Sequence, residues 1–526
     1  LIQSCAFLFF ILLASPSASA QLALADVQRL IAQAVTRATV LTGSSLATNA
    51  VIAVTDREGW VLGVWAVNTN LAANDPLIGE AIAKAGTAAF LSSGQNAFST
   101  RTAGFIVQQH FPPGIAFKPP GPLVGVNFSQ LAFSDINKFK AAGSVITYGS
   151  SPGTSLVAPP LPVTGGLAGT PGGLPLYQNG ALVGGIGVAG NGISPLAVTP
   201  AVIARPDLNE DVALAGQTGF RPAAAILGSQ VLGDGIRFEY LESYTRLGAV
   251  LPFLSLPGKI ILPYSLIAAP APFTYPVATL GGMAGELRQP IMADPSSVPL
   301  PGAVARLTAN EVSNLLAAAA NRCRTTRAGI RLPRGIGAQV FITVVNNPNA
   351  SGVAPTVLGT FCTSPDTTRF SWDVAVQKAR TALFFSSTNR AYSSRTVGFL
   401  AQSLYPPGIN QTAPGLFFTL QEQFSALTPT AILFTNPVNG ARFTTATNVN
   451  PNLPNGITIF PGGFPLYRHG VLIGAIGVSG DGIDQDDLIS ASGAALFPAP
   501  AAIRADRMQI RGARLPYAKF PRNPAL

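Results

Sequence analysis

A lysine and a threonine, followed downstream by an adjacent arginine–threonine pair, occur twice in this chain. The first set is Lys84, Thr87, Arg101 and Thr102, and the second is Lys378, Thr381, Arg395 and Thr396. Cationic side chains beside hydroxyls can hold an anionic organic ligand through charge-assisted hydrogen bonds. The same groups can cap helices and satisfy buried carbonyls, and residue type alone leaves both roles open. Phe90, Phe98 and Phe105 neighbour the first set in sequence, and Phe384, Tyr392 and Phe399 the second. Such surroundings suit a flat cofactor, and an ordinary core needs them too.

Other chemistry is sparse. The two histidines, His110 and His469, occupy non-equivalent places in the two sets, which argues against a duplicated histidine site. His110 ends a predicted helix before Phe111-Pro112, as a helix-end cap or as a ligand or acid–base group. His469 falls in a hairpin turn beside Gly470, where exposure is expected. No spaced cysteine set, zinc-protease helix, phosphate loop or nucleophile elbow is present. Gly185, Gly187 and Gly190 lie in a predicted strand, so they do not form a dinucleotide fingerprint opening a helix. No positioned nucleophile–base pair supports an enzyme, and catalytic residues are not assigned. Activity on a small hydroxy acid or a tetrapyrrole remains an alternative.

Hydrophobic residues make up 48% of the 526 and charged residues only 11%, so large cores are expected beneath a surface of neutral polar groups. The net charge of +10 is spread along the chain, without the dense basic patch that phosphate contacts require, and nucleic-acid binding is not expected. Ala6 to Ala14 is continuously apolar and leads into Ser15-Pro16 and Ala18-Ser19-Ala20, the pattern of a signal peptide over residues 1–20. Secreted or periplasmic location follows as an expectation, with no transmembrane segment in the mature chain. A retained N-terminal anchor is the alternative. Export would permit a disulfide between Cys323 and Cys362, the alternative being two buried thiols.

The polar sets belong to a longer repeat. Lys84 to Ile115 matches Lys378 to Ile409, and Pro171 to Gly190 matches Pro461 to Gly480. Two collinear blocks at nearly one offset indicate tandem duplication of a unit too long for a solenoid. The predicted organisation is a first module at 21–250, a packed Pro-rich connector at 251–302 and a second module at 303–520.

Each module reads as α+β. Apolar residues at helical spacing fill Asp26 to Ala38 and Asn310 to Cys323. Val51 to Thr55 and Trp60 to Val67 read as paired strands around Asp56-Arg57-Glu58-Gly59, and Val340 to Val345 repeats the first of them. Helices are predicted over Pro76 to Phe90 and Ser371 to Phe385, with Ser371 as a candidate cap. Asn179-Gly180 suits a tight type I′ hairpin turn, and the glycines of the returning strand mark close approach by a helix, a backbone or a ligand. The expected architecture is an antiparallel sheet with helices against one face.

Taken together, these pieces resemble the GlcG/HbpS-like haem-binding domain family. The resemblance rests on the helix after Leu22-Ala23-Leu24-Ala25, on Val51 to Asp56 with Gly59, on Lys84-Ala85-Gly86-Thr87-Ala88 and on the Gly172-Gly173-Leu174-Pro175 hairpin. The second copy supplies Lys378-Ala379-Arg380-Thr381-Ala382, Gly462-Gly463-Phe464-Pro465, and Asp481, Asp484 and Asp487. The resemblance implies α/β domains that often form homo-oligomers, some of them exported and haem-binding, some linked to haem degradation or redox sensing. It places Thr87 and Thr381 at the iron side of a haem. Charge alone suggests Arg101 and Arg395 for the propionates, with Lys84, Lys378 and His110 as further contacts. The expected function is an exported haem- or tetrapyrrole-binding protein. The alternative is a cofactor-free module that assembles with itself or with a protein of the cell envelope.

Overall fold

The computed structural model describes Gln21 to Leu526 except residues 42–47, 74, 107–110, 114, 116–120, 124–167, 193–204, 234, 263, 270–274, 331, 333–334, 403, 419–431, 436–441, 445–451 and 454–455. The predicted signal peptide and His110 lie outside the described residues.

Helix α1 (Leu24–Thr36) opens the chain and buries Val27, Leu30, Ile31, Ala34 and Val35. Strands β1 (Val51–Asp56) and β2 (Val61–Ala66) form a hairpin. Its turn is tied by the Asp56 carboxylate, which accepts from Glu58 N at 2.9 Å and Trp60 N at 2.7 Å. Helices α2 (Pro76–Leu91) and α3 (Thr100–Ile106) follow. Strands β3 (Gly173–Gln178) and β4 (Ala181–Ala189) turn at Asn179 and Gly180, whose φ of 50° and 79° fit the type I′ geometry. Helix α4 (Leu208–Gly216) is capped by the Asp207 carboxylate, which accepts from Asn209 N and Glu210 N.

The connector completes both sheets. Strand β5 (Lys259–Ile260) pairs with β2, so the first sheet runs β3-β4-β1-β2-β5. Strands β6 (Val277–Leu280) and β7 (Met283–Gln289) form a hairpin on the edge of the second sheet.

The second half repeats the first. It contains α5 (Ala309–Arg324), β8 (Val340–Asn346), β9 (Val357–Cys362), α6 (Phe370–Phe384), α7 (Ser394–Leu400), β10 (Gly463–Arg468), β11 (Val471–Gly480) and α8 (Ile483–Ala494). Its sheet runs β10-β11-β8-β9-β7-β6, the same antiparallel order. Ile52 faces Val188 and Trp65, and Ile342 faces Val478 and Phe361. The register slips at Val54/Thr55 and again at Val344/Val345, an irregularity that both halves share.

Helices cover both faces of each sheet, which corrects the one-face expectation. In the first module Ile52 and Val54 join the core beneath α1 and α4, while Val51 and Ala53 join Ile78, Ala81 and Ala85 of α2. Every residue of β1 and β2 is buried, as two-sided cover demands. The strand glycines are explained by packing. A Cβ on Gly187 would lie 2.1 Å from the carbonyl oxygen of Ala81, and one on Gly477 2.1 Å from that of Ala375. Only a hydrogen at these positions lets the helix rest on the strand.

The predicted disulfide is absent. Cys323, on α5, belongs to the core on one face of the second sheet, and Cys362 to the core on the other. Strand alternation puts Phe361 on the Cys323 side and turns Cys362 away, so the sheet separates the thiols. Their Sγ atoms donate instead to Ala338 O at 3.1 Å and Ser364 O at 3.0 Å. Ser371 does not cap α6, whose first flanking residue is Arg369. Its hydroxyl lies inside the helix, 3.0 Å from that of Thr368.

The two modules meet through unlike surfaces. Ala89 and Phe90 of α2 enter one apolar cluster with Trp372, Ala375 and Val376 of α6. Around it, Glu58 accepts from Arg369 Nε at 2.5 Å and Arg288 Nη1 at 3.4 Å, and Asp366 accepts from Gly94 N at 2.6 Å. Arg57 Nη2 donates to Pro365 O at 2.9 Å.

Candidate functional site

Helices α2 and α6 bring the repeated lysines beneath the glycine pair that opens each returning hairpin. Lys84 is fully buried. Its Nζ donates to Val188 O at 3.1 Å and pairs with Glu80 at 2.8 Å. Lys378 Nζ donates to Val478 O at 2.8 Å and to Asp486 at 2.7 Å. The same strand carbonyl is thus held in both modules, with a carboxylate supplied from different places. Burial lowers the Lys378 pKa, with Asp486 opposing. Burial raises the Asp486 pKa to about 6, with Lys378 opposing.

Arg101 and Arg395 are also spent on internal pairs. Arg101 makes a two-pronged contact with Glu210, at 2.8 and 2.9 Å, and both side chains are fully buried. Arg395 pairs with Asp487 through Nε and with Asp484 through Nη2 at 2.6 Å. These bonds tie α3 to α4 and α7 to α8.

The hydroxyls fasten loops. Thr87 Oγ1 accepts from Ala168 N at 2.9 Å, and Thr381 Oγ1 from Thr458 N at 3.1 Å, with both threonines fully buried. Thr102 Oγ1 donates to Glu239 O and Thr396 Oγ1 to Pro516 O, each at 2.7 Å. Thr100 and Ser394 accept from Gly173 N and Gly463 N at 2.9 and 2.8 Å. The described nominated side chains are therefore each held by internal partners in both modules. His469 sits exposed at the tip of its hairpin, with φ of 50°.

A cavity of about 330 Å³ opens elsewhere on the second module, between the end of α6, the turn after β8 and the tip of the β10–β11 hairpin. Asn347, Arg380, Leu383, Phe384, Ser387 and Leu472 line it. Arg380 is 2% exposed and its Nη2 donates to Pro355 O at 3.2 Å. Sequence reasoning passed over Arg380, although it stands where the first copy has Gly86, and a charge added within an apolar helix was the available signal. The lining contains no histidine, cysteine, methionine or tyrosine. Among the described residues no cluster of His, Cys, Asp and Glu could hold a metal ion.

The fold and these contacts define a duplicated α+β protein with polar staples in each unit. Residues 307–495 match the family model described as "Haem degrading protein HbpS-like", so the second module carries an HbpS-like domain. Among solved structures, a PduOC:heme complex shares 21% identity, covering 37% of this chain and 98% of that one with a TM-score of 0.22. An HbpS structure shares 18%, covering 37% and 91% with a TM-score of 0.22. The Klebsiella pneumoniae protein ORFY shares 16%, covering 39% and 99% with a TM-score of 0.22. No curated protein matches the chain.

Proposed function

We propose that this is an exported haem- or tetrapyrrole-binding protein whose second module carries the binding. The observation behind this reading is the family match over residues 307–495, whose description names haem. The first module is proposed as a second copy of the same domain, supported by the shared strand order, register slips and staples. Export rests on the apolar run Ala6 to Ala14 and the small residues after it. Among the described residues no helix is long and apolar enough to cross a membrane.

The nominated residues, as placed, do not fit a haem. Thr87, Thr381, Lys84 and Arg101 are buried among internal partners. Contact with Thr381, Lys378 or Arg395 would require the hairpin staples to open. Affinity would then come from burial of the macrocycle and pairing of its carboxylates.

A cofactor-free module for assembly is the second reading. It is favoured by the use of both nominated lysines and both nominated arginines in internal pairs. Hemin titration followed by absorbance separates the two. A saturable Soret shift supports the first reading. Absence of any saturable shift leaves the second.

A further inference from the structure

The cavity on the second module has a counterpart on the first, and there the chain itself fills it. The repeat carries Phe90 onto Phe384 and Gly94 onto Thr388. Strand pairing aligns Val51 with Phe341, which carries Arg57 onto Asn347. On the first module the occupant is a carboxylate followed by an apolar helix face. Asp366 accepts from Gly94 N at 2.6 Å and lies 3.6 Å from Arg57 Nη2. Further along, Trp372 joins the apolar cluster that contains Phe90, which is 3% exposed.

The second module keeps these groups and leaves them open. The turn after α6 repeats the turn after α2, because Ser387 N donates to Arg390 O as Ser93 N does to Asn96 O, each at 2.8 Å. Tyr467 Oη donates to Ser387 O at 2.8 Å, as Tyr177 Oη does to Ser93 O at 2.7 Å. The Thr388 amide therefore stands where the Gly94 amide stands, and Thr388 is exposed. Phe384 lines the cavity and is 37% exposed. The cation has moved from the strand turn to the helix. Asn347 lacks the charge of Arg57, and Arg380 lines the same cavity where the first copy has only Gly86. Its bond from Nη2 to Pro355 O, at 3.2 Å, holds the guanidinium against another lining residue.

We propose that this cavity binds a small organic carboxylate with an aromatic body, its carboxylate placed as Asp366 is placed on the first module. The anion takes the Thr388 amide and the Arg380 guanidinium, whose charge strengthens the hydrogen bonds. The ring lies against the apolar wall of Leu383, Phe384 and Leu472. A volume of about 330 Å³ is at the small end of ligand sites and suits a molecule on the order of ten heavy atoms. The site uses neither Thr381, Lys378 nor Arg395, and so stands apart from the haem reading.

Hydrocinnamate is the probe and hydrocinnamamide its neutral isostere, each titrated into the purified full chain and followed by ligand-observed NMR. Saturable binding of the acid is expected with a Kd on the order of 1 mM or below. The amide should bind about tenfold more weakly or worse, since it carries no charge for Arg380. Arg380→Gln should weaken the acid by about tenfold or more. Phe384→Ala, at an exposed position, should weaken it by about threefold or more, and it decides the matter if the buried-arginine variant does not fold. No saturable binding below about 10 mM, equal binding of acid and amide, or affinity unchanged in either folded variant would overturn the proposal.

Discussion

Lys378 Nζ lies 2.7 Å from Asp486 of α8, whereas its repeat counterpart Lys84 lies 2.8 Å from Glu80, one turn back on its own helix. The two modules keep a buried lysine on the same strand carbonyl and solve its charge differently. Where the first has Glu80 and Asn209, the second has Val374 and Asp486. A buried ammonium needs one carboxylate, and either source serves.

Removing that carboxylate should be costly. Asp486→Asn is expected to destabilise the second module by about 3 kcal/mol, since an uncompensated buried charge remains. Adding Val374→Glu recreates the pairing of the first module and should recover most of the loss. Thermal unfolding of both variants checks this, and equal stability of wild type and Asp486→Asn would refute it.

The junction between modules should respond to acid. Burial pushes the Glu58 carboxyl up, and the charges of Arg369, Arg288 and Arg57 outweigh burial to hold it at about 2. A depressed carboxyl stabilises the fold above its unfolded value of about 4.5, and the contribution is lost as pH falls toward about 2. Asp486 works in the opposite sense, because its raised pKa of about 6 makes its ionisation a cost as pH rises through that range. In urea unfolding across acidic pH, Glu58→Gln should flatten the loss below about 4.5, and Asp486→Asn should leave that limb in place.

Close helix–strand packing should make the strand glycines intolerant. Gly187→Ala and Gly477→Ala each place a methyl against a helix carbonyl oxygen and should cost about 1–3 kcal/mol or more. Gly180→Ala, where nothing lies within 4 Å, should cost less and act through its positive φ alone. Melting temperatures of the three variants provide the comparison.

Cys323 and Cys362 should behave as inert thiols. Burial raises both pKa values, which keeps the reactive thiolate scarce. Thiol reagent should label them only after denaturation, without prior reduction. Rapid native labelling of either, or a need for reductant, would contradict their placement.

Much of this fold was legible because its signals are local. Asn179-Gly180 needs positive φ at two successive positions and therefore marks its own turn. The repeat identified both hairpins and both central helices. Two-sided cover was also available from Val51-Ile52-Ala53-Val54, whose unbroken apolar run signals burial on both faces. The equivalence of Asp56 and Asn346 escaped notice because a charged and a neutral side chain do the same work. Asn346 Oδ1 accepts from Thr356 N at 2.7 Å across a longer turn. The roles of Lys378 and Arg395 were not legible, because their partners lie 108 and 92 residues away along the chain. Pairings at that distance leave no spacing to read.

The most direct measurement is the binding stoichiometry of hemin on the purified full chain, followed at the Soret band. One equivalent per chain, bound saturably, is predicted from a binding function carried by the second module. No saturable binding, or two equal sites per chain, would contradict it.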